Sequence, residues 1–298
     1  MRYRLWFMAD CRSCMKSLIA LTLLLLASGG LSRAQTAASS PARRDTPVAY
    51  LGFDRNDYPG DDNLALLRKT FVFTAYWLNY PPGTQANTWV GKRAALQSAG
   101  FGFLVVFAGR SYRELNALPN IKAAGTSDAR AAVAAARREG FPRGTIIFLD
   151  QEEGGRQLAE QKTYIYAFVD GVTSLGFRAG VYCSGIPFRE ANGTTIVTAA
   201  DIRSTAGGRN IAFWVSNDAC GPSPGCSFVP TPEPAESGVA FASVWQYAQS
   251  PRRRQYTAQC RNSYAANGDC YAPGLEPAGI HVDLNAATSA DPSHGRTR

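Results

Sequence analysis

Short apolar, β-prone runs recur eight times along this chain, most of them separated by a helical pattern or a loop, and that alternation restricts its fold more than any other feature. The runs cover residues 48–54, 70–77, 102–108, 145–152, 178–184, 211–216, 243–247 and 279–284. Strands alternating with helices indicate a parallel sheet, and eight strands are the number that closes a barrel. Helical patterns over 64–69, 88–98, 127–139 and 162–175 occupy the early gaps, with Thr126-Ser127 reading as a cap and Gly140 as a stop. Between Asp218 and Ser237 the chain is too rich in Pro, Gly and Cys for a helix of useful length. The expected class is therefore α/β, an irregular (β/α)8 TIM-type barrel with fewer than eight outer helices. An open doubly wound sheet is the alternative, but Gly52-Phe53-Asp54-Arg55 stands where a Gly-rich phosphate loop would follow its first strand.

A barrel of about 250 residues would use most of the 298. The first segment does not belong to it: Lys16 precedes an apolar run from Leu18 to Leu25, and small residues lead to Ser32-Arg33-Ala34. This reads as a signal peptide over 1–34, cleaved near Ala34, with either Met1 or Met15 as the start. A membrane anchor would need roughly twenty apolar residues, and this run is about half that. A linker over 35–47, the barrel over 48–288 and a disordered polar tail over 289–298 complete the expected organisation. The destination is periplasmic or extracellular, with no stable membrane insertion.

Removal of the leader leaves Cys183, Cys220, Cys226, Cys260 and Cys270. The short spacings suggest Cys220 with Cys226 and Cys260 with Cys270, each stapling a loop that lacks hydrophobic periodicity. Cys183 lies inside an apolar strand pattern and reads as a buried thiol. The leader also holds five Lys/Arg and one Asp, so the mature chain keeps +4 of the formal +8. That mild bias gives no case for a nucleic-acid partner. Arg252-Arg253-Arg254 reads as a solvated loop, with anionic wall polymers or nucleic acid as the alternative target.

The most informative run is Thr145-Ile146-Ile147-Phe148-Leu149-Asp150-Gln151-Glu152-Glu153, an apolar strand that ends in acids. Alternate residues share a face, so Asp150 and Glu152 point the same way. If that face is the barrel interior, both reach the C-terminal mouth, where barrel enzymes keep their active sites. The first run ends in Asp54 and the last in Asp283. The first and last strands of a closed barrel are neighbours, so these two acids would confront Asp150 and Glu152 across the mouth. Gathered carboxylates raise some of each other's pKa values, which allows one to hold a proton while another stays ionised, and glycosidic cleavage needs that division. Tyr76, Trp77, Tyr182, Trp214, Trp245 and Tyr247, near strand ends, would supply faces for sugar rings and N-acetyl groups.

Gly52-Phe53-Asp54, Leu149-Asp150-Gln151-Glu152, Gly180-Val181-Tyr182, Phe213-Trp214-Val215, Val244-Trp245-Gln246-Tyr247 and Val282-Asp283-Leu284-Asn285 occur in the order seen in family 25 glycoside hydrolases, the Chalaropsis-type lysozymes. The chain resembles that family over most of its mature length. Through residues 52–60 and 150–155 it is more similar to a bacterial glycoside hydrolase-like domain family of unknown activity that shares the barrel. The resemblance implies Glu152 as general acid, Asp150 as the group that orients a substrate N-acetyl for substrate-assisted attack, and Asp54 and Asp283 as groups that tune them. Gln151-Glu152-Glu153-Gly154-Gly155 departs from the lysozymes in being more acidic and more glycine-rich.

Other chemistries are poorly served. The chain has two histidines, His281 and His294. His281 reads as a core histidine below Asp283, and no reactive-cysteine signature surrounds Cys183. No metal or cofactor is expected: zinc lacks clustered ligands, and Asp57, Asp61 and Asp62 do not fit an EF-hand loop. Asn192-Gly193-Thr194 matches a glycosylation pattern that depends on the host. The expectation is an exported monomeric glycoside hydrolase acting on peptidoglycan or another amino-sugar polymer, with a catalytically inactive glycan-binding barrel as the alternative.

Overall fold

The computed structural model describes residues 49–297. The expected signal peptide and linker lie outside the described residues. Within them the strands are β1 (Tyr50–Asp54), β2 (Phe73–Trp77), β3 (Gly102–Ala108), β4 (Ile146–Asp150), β5 (Arg178–Ser184), β6 (Phe188–Arg189), β7 (Thr195–Ile196), β8 (Ile211–Ser216), β9 (Val244–Ala248) and β10 (Asp283–Ala287). β6 and β7 form a small hairpin, and the other eight close a barrel in the order β1-β10-β9-β8-β5-β4-β3-β2. The helices are α1 (Leu64–Leu67), α2 (Arg93–Ser98), α3 (Tyr112–Asn116), α4 (Ile121–Arg138), α5 (Ala159–Ser174), α6 (Thr198–Ser204) and α7 (Arg254–Thr257). The irregular α/β barrel with fewer than eight outer helices is thus the observed fold.

Seven barrel strands run parallel, and β10 runs antiparallel to both β1 and β9. The last strand was expected at 279–284, ending in Asp283; it begins at Asp283 and runs the other way. Asp283 reaches the mouth all the same, because the first residue of an antiparallel strand sits at the same barrel end as the last residue of its parallel neighbours. The register pairs Asp54 directly with Asp283.

Side-chain alternation fills the barrel with matched large and small residues. A Cβ on Gly52 would lie 2.3 Å from the Phe73 ring, and one on Gly180 would lie 2.4 Å from that of Phe148. Only glycine leaves these two phenylalanines room in the interior. Outside, α4 begins at Ile121 with Asn120 as cap, its side chain accepting from the Ala123 amide at 2.9 Å. The cap expected at Thr126-Ser127 falls mid-helix. The Gly125 there is a packing device: a Cβ would meet the Tyr164 carbonyl at 2.6 Å, so glycine lets α4 approach α5 closely.

The tail is packed, contrary to expectation. Ser293 is fully buried; its hydroxyl accepts from the Val105 amide and its carbonyl from the Ile146 amide, each at 2.8 Å. Asp291 accepts from the Phe103 amide, also at 2.8 Å. Polar tail residues satisfy the backbone at the foot of β3 and β4, which would otherwise carry buried unpaired groups.

The disulfides also differ from expectation: Cys220 bonds Cys260, and Cys226 bonds Cys270, with Cα separations of 5.6 and 5.5 Å. The loops after β8 and β9 are stitched to each other and neither closes on itself. Cys183 is free and buried as expected. Among the described residues no helix is long and apolar enough to cross a membrane.

Candidate active site

β4 carries Ile146, Phe148 and Asp150 into the barrel, with Ile147 and Leu149 turned to the helices. Its end is crowded from the β3 side, where a Cβ on Gly109 would lie 2.4 Å from the Asp150 carbonyl. Past the strand, Glu152 returns to the same side. Asp54, Asp150, Glu152 and Asp283 all line one cavity of about 240 Å³ at the barrel mouth. The four acids singled out by strand alternation therefore converge.

A hydrogen-bonded frame holds this floor. The Asp54 carboxylate accepts from Gln246 at 2.9 Å and from Asn285 at 2.6 Å through one oxygen, Oδ1. Asn285 accepts in turn from the Trp214 indole at 2.8 Å. Gln246 accepts from the Tyr182 hydroxyl at 2.8 Å and from Gln249 at 2.8 Å, and its amide also reaches Asp283 at 3.3 Å. Asp283 accepts from the Ser250 amide at 2.6 Å. The Oδ1 atom of Asp150 is buried without a partner.

These surroundings keep protons on acids. Burial pushes Asp54 up to about 6, with the charge on Glu152 adding to the rise and the bonds from Gln246 and Asn285 opposing it. Asp150 is held well above the usual carboxylate range by burial first, then by Glu152 and Asp54. Asp283 is raised likewise, by burial and then by Asp54, against the Ser250 amide. Glu152 stands at the rim and is open to solvent on one side. The cleft wall still strips enough water to raise its pKa, and the positive charge of Arg253 opposes that rise. A proton donor and an ionised partner within one cavity are what such a cluster can supply.

Of the six aromatic residues expected at the mouth, Trp77, Tyr182 and Trp214 line the cavity. The other three are corrections. Tyr76 faces outward, with its hydroxyl on Glu139 and its ring against Phe141. Trp245 and Tyr247 flank inward-facing Gln246 and are fully buried on the outer side; the Trp245 indole donates to the Asn217 carbonyl and the Tyr247 hydroxyl to that of Ser227. The period of two that gathers the acids sends these three rings away from them.

Gln246 and Asn285 were missed, although both occur in the motifs read above. Alternation from Asp283 places Asn285 inward, and the polar residue of Trp245-Gln246-Tyr247 was the one to choose. His281 lies before β10, half-exposed beside Tyr271 and 3.9 Å from Asp269, so it is no core histidine. Burial pushes the Cys183 thiol up, away from nucleophile chemistry. The arginine run is no free solvated loop: Arg253 donates from Nη2 and Nε to fully buried Asp218, at 2.7 and 3.2 Å, and Arg252 covers the Tyr264 ring. Asp61 accepts from Tyr58 and pairs with Lys92. Among the described residues no group of three or more His, Cys, Asp or Glu is arranged to hold a metal.

The central cavity belongs to a longer cleft. A cavity of about 410 Å³ shares Pro82, Asp150 and Glu152 with it and extends past Asn79 and the exposed Tyr80. Another, of about 340 Å³, shares Asn56, Ser250, Pro251 and Asp283.

Residues 80–219 match the family described as Rv2525c-like, glycoside hydrolase-like domain. Among solved structures, an uncharacterized B. stearothermophilus protein superposes with a TM-score of 0.52 at 19% identity, over 80% of this chain and 95% of that one. This likeness shows the fold. The Mycobacterium tuberculosis Tat-secreted protein Rv2525c gives a TM-score of 0.48 at 14% identity over 81% and 96%. A muramidase from Trichobolus zukalii gives 0.47 at 13% identity over 83% and 100%. No curated protein matches the chain.

Proposed function

We propose that this chain, which carries an Rv2525c-like, glycoside hydrolase-like domain over residues 80–219, is an exported hydrolase that cleaves glycosidic bonds in peptidoglycan or another amino-sugar polymer. The observation that carries the reading is the meeting of Asp54, Asp150, Glu152 and Asp283 in one cavity walled by Trp77, Tyr182 and Trp214. Glu152, at the rim and with a raised pKa, is the group best placed to protonate a leaving oxygen. Asp150, unpartnered at Oδ1, awaits a polar atom of the substrate. A sugar N-acetyl N–H would be such a partner, and donation to Asp150 would favour its ionised form at the moment the acetyl oxygen is needed as nucleophile. Asp54, tied to Gln246 and Asn285, and Asp283, tied to Ser250, would fix the field around the pair. The open cleft on either side of Glu152 suits a chain of sugars better than a small metabolite. Two disulfides and the expected leader support export.

The test is reducing-sugar release from purified peptidoglycan and a panel of soluble glycans by the mature protein and by Glu152→Gln. Release by the parent and none by the variant supports the hydrolase. A second reading, a glycan-binding barrel without turnover, draws on the burial of Asp54 and Asp150, which with Asp283 half-buried leaves Glu152 alone in ready contact with solvent. Glycan binding by both proteins with no release from either would favour it.

A further inference from the structure

The cavity beside the catalytic one, on the β1 and β10 side, contains an arginine that the proposed chemistry does not use. Arg55 directly follows Asp54, and its backbone carbonyl accepts from the Trp77 indole at 3.1 Å, which fixes its main chain at the cleft wall. Its side chain lines the cavity of about 340 Å³ with Asn56, Asp57, Ser250, His281 and Asp283. The Nε and Nη1 atoms of its guanidinium are sealed from solvent without an acceptor, and the group makes no ion pair among the described residues. Of the other arginines near the mouth, Arg110 holds Asp128 at 2.6 and 2.8 Å and Arg253 holds Asp218, whereas Arg252 covers the Tyr264 ring with its own Nε buried without an acceptor.

A guanidinium carries five N–H donors, accepts nothing and does not lose its charge in proteins. Buried donors without an acceptor are rare in folded proteins and point to a missing water or ligand. Asp57 and Asp283 act on Arg55 through space, but neither is an ion-pair partner. Asp283 is already committed to Ser250 and Gln246. The shared wall of Asn56, Ser250, Pro251 and Asp283 means that a sugar held in the central cavity can extend a short substituent to the guanidinium.

We propose that Arg55 forms an anion subsite of the cleft, one that receives a carboxylate carried on the sugar polymer and selects acidic glycans over neutral ones. This rests on the reading of the mouth as a glycan site. The nitrogen left to meet a carboxylate is Nη2, which is neither sealed nor hydrogen-bonded, through a charge-assisted hydrogen bond.

The experiment is calorimetric titration of the mature protein with the dimer of N-acetylglucosaminyl-N-acetylmuramic acid and with the methyl ester of the same oligosaccharide. Both are titrated into the parent, Arg55→Lys and Arg55→Gln, with reducing-sugar release measured on each protein. The parent is expected to bind the free acid roughly 10- to 100-fold more tightly than the ester, as a charge-assisted bond would give. Arg55→Gln should erase that ratio while leaving ester affinity unchanged, and Arg55→Lys should keep part of it. Equal affinity of the parent for acid and ester, failure of the parent to bind the acid, or a ratio preserved in Arg55→Gln overturns the subsite. Selective binding without sugar release would uphold the subsite and remove the hydrolase; release without selectivity would do the reverse.

Discussion

Gln246 donates to the Asp54 carboxylate at 2.9 Å across 192 positions of sequence, and the same side chain accepts the Tyr182 hydroxyl at 2.8 Å. One amide thus ties β1, β5 and β9 together beneath the mouth, and it steadies the ionised form of Asp54 against burial. Gln246→Leu removes both bonds at nearly constant shape. Asp54 should then titrate above its present value of about 6, because the lost hydrogen bond favoured the charged form. Stability should fall by about 1–3 kcal/mol, since the Tyr182 hydroxyl is left unpaired. Carboxyl-carbon NMR titration reads the first effect, and an unmoved pKa would contradict this role for Gln246.

Asp54 also makes stability depend on pH. Its folded pKa of about 6 lies above the ordinary 3.8, so the unfolded chain releases this proton first. The contribution of the protonated group is full below about pH 4 and is lost as pH rises to about 6, at a cost on the order of 3 kcal/mol. Asp150 and Asp283, also raised, push in the same direction. Asp54→Asn keeps an oxygen for Gln246 and Asn285 and removes the charge. Urea unfolding should show the variant more stable than the parent at pH 7 and nearly level with it at pH 4.

Adjacent aromatic residues on β2 should separate binding from packing. Trp77→Ala opens the cavity wall and should weaken glycan affinity about tenfold, as loss of an aromatic face does. Tyr76→Phe removes an outward hydroxyl from Glu139 and should cost about 1 kcal/mol of stability with glycan affinity unchanged. Calorimetry on both variants checks the pair, and a loss of affinity in Tyr76→Phe would place that ring at the site after all.

Peptide mapping of the unreduced protein should recover Cys220 joined to Cys260 and Cys226 joined to Cys270. With the partners 40 and 44 positions apart, loop-closure entropy gives each bond about 4 kcal/mol. Cys226→Ala with Cys270→Ala should lose about that much in denaturant midpoint experiments. Cys183→Ala should instead report the cost of a small core cavity, with both disulfides intact.

The acids, the barrel and the inward half of the aromatic residues were legible in the sequence because side-chain alternation is a local property. Once Ile147 and Leu149 face helices, Asp150 and Glu152 face the mouth, and no distant residue changes that. The same rule, applied one residue over, would have excluded Tyr76, Trp245 and Tyr247 and found Gln246. What only the tertiary structure decided were matters of which surfaces meet. The direction of β10 depends on the path the chain takes from Pro251 to Val282, which no periodicity records. Cysteine pairing depended on two loops facing each other, since spacing along the chain says nothing of distance between separate loops. The polar tail was ordered by amides of β3 and β4, 188 and 147 positions away, that needed its carbonyl and side-chain oxygens. Arg55 likewise became informative only when the fold sealed part of its guanidinium from water and supplied no acceptor. Alternation fixes which way each side chain points, whereas burial and partnership are set by contacts between segments that the sequence holds far apart.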